Sequence, residues 1–387
     1  MKVALVHHWL VAQRGGERLF DALLDLFPSA DVFTLVHDAE SASPSLRQRR
    51  VRTSFLQRLP YGTRWYPFYL PLFPWATESL DLSAYDLIVS SDAATVKGVR
   101  ARPGAVHICY CHTPLRYVWS GYETYRRHGG LLGRIFLPAF AERLRRWDFD
   151  AAQGVTHFVA NSWNVAERIR RYYCRESTVI YPPVDTDFFV PGPDREPAGE
   201  YFLAASQLVS YKRVDLIVEA FNQCGLPLVV IGEGRERARL ERSAKSHIRL
   251  LGPQPAAVLR RYMQEARAFV FAGEEDFGIV MAEALACGTP VIAYGRGGAT
   301  EIVEDGRTGI LFDEQTAEAL IHALKRREKL TFAKPGLRAS ALRFDRGRFS
   351  REFSALVDQV TQADIGPARP LDIKGQGSFP NLEAEES

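Results

Sequence analysis

The feature that most constrains this chain is the stretch from Gly273 to Ile310, which reads GEEDFGIVMAEALACGTPVIAYGRGGATEIVEDGRTGI. The apolar run 268–272 predicts a buried strand, residues 279–286 predict a helix that ends at Gly288, and 291–294 predict a second strand. A strand, a helix and a strand with glycine turns at the strand ends are typical of an open parallel α/β sheet. Such sheets bind ligands at the carboxyl ends of their strands, so the stretch predicts a ligand site.

Two carboxylates and a glycine turn give this predicted site its chemistry. Glu275 falls at the strand-to-helix turn, and Glu283 falls about two turns into the helix. The helix dipole also favours acidic residues near a helix start, so a purely structural role for both stays open. The turn at Gly297 and Gly298 precedes a short helix, and such a turn leaves N–H groups that bind phosphate. Carboxylates for hydroxyls beside amides for phosphate predict a nucleotide-sugar pocket.

Residues 275–292, EDFGIVMAEALACGTPVI, resemble the E-x7-E signature of the family-4 retaining glycosyltransferases, which have the GT-B fold. The resemblance runs from residue 1 to about residue 355 and covers most of the 387 residues. It implies an α/β chain with two Rossmann-like, doubly wound parallel-sheet domains that face a cleft. The first domain is expected to bind the acceptor and the second the donor.

The length is sufficient for two domains with full cores, and the boundaries follow changes in composition. Proline-rich sequence predicts a stiff linker, and a final segment of Gly, Pro and acidic residues predicts disorder. We expect an acceptor-side domain over 1–182, a linker over 183–200, a nucleotide-sugar-binding domain over 201–345, a closing helix over 346–362 and a disordered tail over 363–387.

The resemblance also implies a set of donor-binding residues. They are Gly15, Gly16, Gln207, Arg213, Phe277, Gly278, Ile279, Glu283, Gly297 and Gly298. Glu283 is expected to contact the ribose. Gln207 stands where the family usually has an arginine, and the loss of that arginine removes a charge-assisted contact worth roughly 1.5–3 kcal/mol. Either Arg213 substitutes for it, or donor binding is weaker.

Three residues are expected to act at the transferred sugar: His112, Lys212 and Glu275. His112 follows an apolar strand and belongs to the fragment 111–125, CHTPLRYVWSGYETY, which resembles a variant in bacterial polysaccharide-assembly members of the family. The matching histidine lies beside the transferred sugar, the lysine stabilises the leaving diphosphate, and the glutamate holds sugar hydroxyls. Double displacement needs a second carboxylate beneath the sugar, and the first domain offers no obvious one. The resemblance implies front-face attack, with the departing phosphate as the base.

We expect no cofactor and no required metal. The subgroup resemblance predicts a mannosyltransferase that uses GDP-mannose and acts on a polyprenyl-diphosphate-linked or saccharide acceptor in bacterial cell-surface glycan synthesis. Three alternatives stay open: a transferase with another nucleoside diphosphate sugar, a catalytically weak sugar-nucleotide-binding protein, and a nucleotide-sugar epimerase.

Charge and hydropathy bear on partners and location. The net charge of +3 gives no argument for nucleic acid, and five cysteines in no framework spacing indicate a reducing compartment. His7 and His8 interrupt the N-terminal apolar run, which predicts a first strand rather than a signal peptide. No stretch approaches the roughly 18 apolar residues of a membrane span. The expected location is cytoplasmic, peripheral on the inner face of the cell membrane.

A basic and aromatic segment favours this location. Residues 47–64 carry six arginines and no acidic residue, and they lead into the Trp-, Tyr-, Phe- and Pro-rich run 65–75. This composition predicts that the segment forms no regular buried element. It fits a solvated basic loop over a small aromatic core. It also fits a surface that meets anionic lipid headgroups and a lipid-diphosphate acceptor.

Overall fold

The protein is described here by a computed structural model that covers residues 1–12, 15–122, 130–192 and 200–362. These residues form two compact units, Pro182–Phe349 and a unit that joins Met1–Tyr181 to the segment from Ser350 onward. The predicted linker residues 193–199 and the predicted tail 363–387 lie outside the described residues, as do 123–125 of the histidine fragment.

A seven-stranded parallel sheet forms the centre of the first unit, with the order β3-β2-β1-β4-β5-β6-β7. The strands are Val3–His7 (β1), Asp31–Thr34 (β2), Val51–Thr53 (β3), Leu87–Asp92 (β4), Val106–Cys111 (β5), His157–Ala160 (β6) and Ser177–Val179 (β7). The chain leaves β1 toward β2 and returns on the other side at β4. Strand order therefore reverses between β1 and β4, and this is where open α/β sheets bind ligands.

Helices connect the strands of the first unit. They are Gly15–Leu26 (α1), Pro44–Arg47 (α2), Gly62–Trp65 (α3), Phe73–Glu78 (α4), Gly130–Gln153 (α5) and Trp163–Tyr173 (α6). Ser162 caps α6, because its side chain accepts a hydrogen bond from Val165 N. Cys109 and Cys111 are fully buried on the same face of β5, in one apolar cluster with Phe158. These two cysteines therefore pack in the apolar core of the first unit.

The prediction that residues 47–75 form no regular buried element is wrong at helix α4, and the segment also contains a regular strand that is only partly buried. Val51–Thr53 pairs in parallel with β2 and forms the edge of the sheet. Helix α4 buries Phe73 and Ala76 in the core of the first unit. Its proline lies in the first helical turn, where the missing N–H has no intrahelical partner to lose, so proline does not prevent this helix.

A buried ion cluster lies in the core of the first unit. Lys97 Nζ lies 2.6 Å from Asp148 Oδ1 and 3.1 Å from Asp92 Oδ2, and the three side chains have no exposed surface. Burial lowers the pKa of Lys97, but the two carboxylates outweigh it and raise this pKa overall. Burial raises the pKa of Asp148 more than Lys97 lowers it. Burial also acts to raise the pKa of Asp92, yet Lys97 and the N–H of Ala94 bring it below its ordinary value.

The second unit contains a six-stranded parallel sheet in the order β10-β9-β8-β11-β12-β13. Its strands are Phe202–Ala205 (β8), Leu228–Ile231 (β9), Ile248–Leu250 (β10), Phe269–Phe271 (β11), Val291–Tyr294 (β12) and Gly309–Phe312 (β13). Its helices are Val214–Cys224 (α7), Arg237–Ser243 (α8), Ala256–Glu265 (α9), Ile279–Ala286 (α10), Ala299–Ile302 (α11), Ala317–Glu328 (α12) and Lys334–Ala341 (α13), and Arg346–Gln362 (α14) spans the division between the units. Strand order reverses between β8 and β11.

The stretch that begins at Gly273 folds as its sequence predicts. Helix α10 and strand β12 have the predicted bounds, Ile279–Ala286 and Val291–Tyr294. Gly278 before the helix has φ +95°, and Gly288 after it has φ +77°. Both values lie in the left-handed region that favours glycine, so the two glycines set where this helix begins and ends.

Candidate active site

Three side chains at the strand ends of the first unit form one hydrogen-bonded chain. His7 Nδ1 lies 3.0 Å from Ser91 Oγ, and Ser91 Oγ lies 2.8 Å from His112 Nε2. The sheet register brings them together. His7 and Ser91 are paired directly across β1 and β4, and His112 follows the last residue of β5. The predicted catalytic histidine thus lies where strand order reverses.

The backbone of His112 is held on both sides. His112 N donates to Asp92 O at 2.8 Å, and Asn161 Nδ2 donates to His112 O at 3.0 Å. Asp92 belongs to the buried ion cluster, so that cluster lies directly beneath the backbone of His112. On the neighbouring strand, His8 Nδ1 lies 3.1 Å from Ser91 O. The position of the His112 ring is therefore determined by β1, β4 and β6 together.

Gly16 lies against this chain, in the first turn of α1, which begins at Gly15. A Cβ atom at Gly16 would lie 3.5 Å from His7 Cε1 and 3.7 Å from His112 Nε2. A methyl group would thus touch both rings, and a larger side chain would have to displace one of them. The structure brings the predicted residues Gly16 and His112 together.

Lys212 and Glu275 form an ion pair at the strand ends of the second unit. Lys212 ends the short turn after β8, and Glu275 lies in the turn after β11. Their side chains are only 15% and 16% exposed, so the attraction between them is less screened than in a surface pair. Gly273 permits this approach, because a Cβ atom there would lie 2.9 Å from Lys212 Cα.

The glycine turn after β12 holds the Glu275 loop. Gly298 N donates to Glu275 O at 2.8 Å. A Cβ atom at Gly297 would lie 2.3 Å from Glu275 O, and one at Gly298 would lie 2.1 Å from Phe277 O. Neither position can accept a side chain without moving the loop. The sequence predicted the amides of this turn as phosphate donors, but in this structure the N–H of Gly298 is bonded to Glu275.

Arg213 has an unusual backbone conformation and a specific set of contacts. Its φ is +52°, a left-handed value that is uncommon for residues other than glycine. Its guanidinium lies 3.4 Å from Asp215 Oδ1 and donates to Gln315 Oε1 at 3.2 Å. Gln315 Nε2 in turn donates to Ala272 O at 2.8 Å, just after β11. Gln207 is exposed and follows β8 by two residues.

The remaining predicted donor residues surround the start of α10. Ile279 is its first residue, and Glu283 lies in its second turn with 2% of its surface exposed. Phe277 packs edge-on against Phe344, with ring centroids 5.3 Å apart. Gly278 has a positive φ and lies close to Met281. Phe277 and Gly278 therefore determine how the Glu275 loop enters the helix.

Sequence reasoning missed three residues that the structure places at these clusters: His7, Ser91 and Gln315. His7 drew attention only as a polar interruption of an apolar strand. Its ring is fully buried, and burial, followed by the nearby His8 and His112, lowers its pKa well below the ordinary value. A histidine in the last position of a central parallel strand was the available signal.

The described residues contain neither a metal-binding cluster nor a membrane-spanning helix. Across residues 1–12, 15–122, 130–192 and 200–362, no group of three or more His, Cys, Asp or Glu side chains is arranged to hold a metal ion. Over the same part of the chain, no helix is both long enough and apolar enough to span a membrane.

Two family models match this chain one after the other. The model described as Glycosyltransferase Family 4 matches residues 13–188, and the model described as Glycosyl transferases group 1 matches residues 187–335. They correspond to the two units in order.

Curated relatives are similar over part of the chain. A GDP-mannose-dependent alpha-(1-6)-phosphatidylinositol monomannoside mannosyltransferase of Mycolicibacterium smegmatis is 31% identical over 51% of this chain and 58% of its own length. A D-inositol 3-phosphate glycosyltransferase of Nocardiopsis dassonvillei is 32% identical over 60% of this chain and 62% of its own length. The chain thus spans about three fifths of the length of these two relatives.

Solved structures share the fold along most of the chain. Sucrose-phosphate synthase from Thermosynechococcus elongatus superimposes with a TM-score of 0.71 at 19% identity, and it covers 93% of this chain and 99% of its own. Anabaena HepE, solved in complex with UDP, has a TM-score of 0.68 at 18% identity, with coverage of 93% and 100%. With two doubly wound parallel sheets and both family models matched in order, this chain belongs to the family-4 glycosyltransferases with the GT-B fold.

Proposed function

We propose that this protein is a retaining hexosyltransferase that moves mannose from GDP-mannose onto a lipid-linked or saccharide acceptor in bacterial cell-surface glycan synthesis. The observation that carries the proposal is the shielded Lys212–Glu275 pair at the reversal point of the second sheet. A cation and a carboxylate there match a donor with an anionic diphosphate and a hydroxylated sugar. The name of the M. smegmatis relative supports GDP-mannose as the donor.

In this proposal each charged group has one task. Lys212 neutralises the negative charge that develops on the leaving diphosphate, where preorganised charge contributes most to catalysis. Glu275 accepts hydrogen bonds from sugar hydroxyls, and Glu283 binds the ribose. The acceptor hydroxyl attacks from the face that the phosphate leaves, and a phosphate oxygen takes its proton. His112 contacts the transferred sugar.

The two curated relatives differ in acceptor by name, one a phosphatidylinositol mannoside and the other an inositol phosphate. Of the two proposed kinds of acceptor, the lipid-linked one is anionic. No cofactor and no metal take part in the proposed reaction.

A donor screen tests this function. The full chain is incubated with GDP-mannose, UDP-glucose and other sugar nucleotides, with and without a crude lipid-linked acceptor pool, and nucleoside diphosphate release is measured. Acceptor-dependent GDP release with an α-linked mannosyl product supports the proposal. Release from another donor replaces the donor assignment, and binding without turnover indicates a sugar-nucleotide-binding protein. An isomerised sugar nucleotide without transfer indicates an epimerase.

Arg213→Ala is expected to weaken GDP binding about tenfold or more, because a charge-assisted hydrogen bond is worth roughly 1.5–3 kcal/mol. Arg213 follows Lys212 directly, and its guanidinium is held near the end of β11 by Gln315. Gln207→Arg is expected to tighten GDP binding, since it restores the cation that the family usually has there. Calorimetric titration with GDP measures both effects.

Arg213→Lys is the matched control for charge, and it should retain most of the affinity. Alanine shares the backbone cost of arginine at φ +52°, so the Ala variant does not confound side-chain loss with relief of strain. Unchanged GDP affinity in Arg213→Ala would show that Arg213 is not the substitute clamp.

The basic and aromatic segment is proposed to hold the enzyme at an anionic membrane surface. Several of its large apolar side chains are exposed: Tyr61 by 66%, Trp65 by 47%, Phe68 by 78% and Trp75 by 58%. Exposed aromatic groups beside cations are typical of membrane-interface surfaces.

The arginines of this segment fall into two groups. Arg47 and Arg49 hydrogen-bond backbone carbonyls, and Arg52 lies 3.9 Å from Asp31. The side chains of Arg50, Arg58 and Arg64 are exposed and form no hydrogen bond or ion pair with the described residues. The second group is therefore the one whose charge can act on a lipid surface.

Replacing Phe68, Trp75, Arg58 and Arg64 with serine is expected to weaken binding to phosphatidylserine-containing vesicles by at least about 30-fold. Each arginine near an anionic surface contributes about 1 kcal/mol, and the aromatic loss adds to this. Co-sedimentation at rising salt measures the effect, which should fade with the Debye length.

Two variants serve as controls for the vesicle experiment. Trp163→Ser removes another exposed tryptophan, and Arg235→Ser with Arg249→Ser removes two exposed charges from the second unit. Both should bind vesicles like the wild type. If the fourfold variant binds vesicles as well as the wild type does, or if the wild type does not bind them at low salt, the segment has no role in membrane binding.

A further inference from the structure

We infer that His7 and Ser91 are positioning residues that fix the ring orientation and the tautomer of His112. The inference deepens the proposed function, because it rests on the proposed contact between His112 and the transferred sugar. The unbroken chain His7 Nδ1–Ser91 Oγ–His112 Nε2, at 3.0 Å and 2.8 Å, carries it.

The first step concerns the proton of His7. The ring is fully buried with a lowered pKa, so it is neutral at physiological pH and has one N–H donor and one bare nitrogen. Its Nδ1 faces Ser91 Oγ, whereas its Nε2 is buried with no hydrogen-bond partner among the described residues. Buried unpaired N–H groups are rarer than unpaired acceptors. The proton therefore lies on Nδ1 and is donated to Ser91.

The second step concerns the direction of the hydrogen bond between Ser91 and His112. Ser91 is fully buried in β4, and its hydroxyl has a single hydrogen. Since Ser91 Oγ accepts from His7, its own hydrogen is available for His112 Nε2 at 2.8 Å. His112 Nε2 is then the acceptor, so this nitrogen carries no proton and the ring proton lies on Nδ1.

The third step is the consequence for the site. A fixed Nδ1–H tautomer makes His112 a hydrogen-bond donor to a sugar oxygen through Nδ1, while Nε2 anchors the ring to β4. In the opposite tautomer His112 Nε2 would donate to Ser91 Oγ, whose own hydrogen would then have only His7 Nδ1 as an acceptor among the described residues. The proton of His7 would then move to its unpaired Nε2, which costs roughly 1–3 kcal/mol. The buried ring of His7 thus selects the tautomer of His112.

A second serine–histidine pair on the same two strands provides a matched control. Ser90 Oγ lies 2.8 Å from His107 Nε2, and both residues are buried in β4 and β5. Burial lowers the pKa of His107 to about 4, so this is also a neutral histidine bonded to a serine. It shares no hydrogen bond with His112. Ser90→Ala therefore removes an equivalent buried hydrogen bond and leaves the hydrogen bonds among His7, Ser91 and His112 in place.

The experiment is nitrogen NMR of the histidine rings in the full-length chain at neutral pH without substrate, with His112→Gln used to assign the His112 signals. We expect His112 Nδ1 to show the protonated, pyrrole-type shift and Nε2 the bare, pyridine-type shift. Ser91→Ala and His7→Phe should each turn this into a mixture of tautomers. Ser90→Ala should change the His107 signals and leave those of His112 as in the wild type.

Activity gives the second readout. Ser91→Ala is expected to lower kcat about tenfold with little change in the KM for donor, whereas Ser90→Ala should leave kcat unchanged. A wild-type His112 protonated on Nε2 would overturn the inference, and this result does not depend on whether any variant folds. A folded Ser91→Ala whose His112 spectrum is identical to the wild type would overturn it as well. Failure of all donors in the transfer assay would count against the proposed function instead, since the tautomer is measured without substrate.

Discussion

Replacing Lys97 with methionine is expected to lower the free energy of unfolding of the first unit by about 3–5 kcal/mol. Lys97 lies between Asp92 and Asp148 with no exposed surface on any of the three side chains. Its ammonium also donates to Ala94 O at 2.9 Å. Methionine has a similar length but no charge, so the variant leaves two carboxylates buried without their cation. Breaking a buried pair in this way costs far more than losing a surface pair.

Tryptophan fluorescence during urea unfolding measures this effect on one unit alone. All six tryptophans of the chain, from Trp9 to Trp163, belong to the first unit. Trp119 reports directly on the cluster, because its Nε1 donates to Asp148 Oδ2 at 2.8 Å. The urea midpoint of the tryptophan signal should fall in Lys97→Met.

Lys325→Met is the control, because Lys325 is exposed on Ala317–Glu328 in the second unit and forms no hydrogen bond or ion pair with the described residues. Its midpoint should match the wild type. Adding Asp148→Asn to Lys97→Met should recover part of the loss by removing one uncompensated carboxylate. A Lys97→Met midpoint equal to that of Lys325→Met would contradict the assignment.

The elements that the sequence predicted best are those with local stop signals. Ile279–Ala286 and Val291–Tyr294 have the predicted bounds because glycines with positive φ stand at both ends of the helix. Val51–Thr53 was missed because three residues at a sheet edge, one of them an arginine, are too few to show an apolar period. Local sequence determines where a helix ends, but an edge strand depends on the neighbouring strand that it pairs with.

The same contrast between local sequence signals and strand pairing applies to the candidate site. Glu275 was found through a motif and Lys212 through the family resemblance, and both lie in loops that follow strands of the second sheet. The link between them depends on the β8–β11 adjacency and on Gly273, which no local pattern shows. His7 and Ser91 are 84 residues apart and meet only through the β1–β4 register. Their role could not be predicted without the strand order.

Lys212→Met is expected to lower kcat about 100-fold, since removal of a preorganised group that stabilises transition-state charge costs about 10²–10³ in kcat. Glu275→Gln and Glu283→Gln should each lower turnover at least roughly tenfold, near 1.4 kcal/mol. The Lys212 effect should fall on kcat more than on the KM for donor, because the diphosphate gains charge as the sugar leaves. Steady-state kinetics with GDP-mannose and the lipid-linked acceptor pool separate the two parameters.

The double variant Lys212→Met with Glu275→Gln, compared with each single variant, distinguishes a catalytic role from a purely structural ion pair. Lys212 and Glu275 contact each other, so a purely structural pair would give stability losses that do not add, with kcat near wild type in every folded variant. In the proposed mechanism the two groups act on different parts of the donor, and kcat falls in each single variant while folding is intact. Glu318→Gln, an exposed acid on Ala317–Glu328 in the same unit, controls for loss of a carboxylate and should leave kcat unchanged. Wild-type kcat in a folded Lys212→Met would remove Lys212 from the mechanism and leave the pair a structural clamp between two loops.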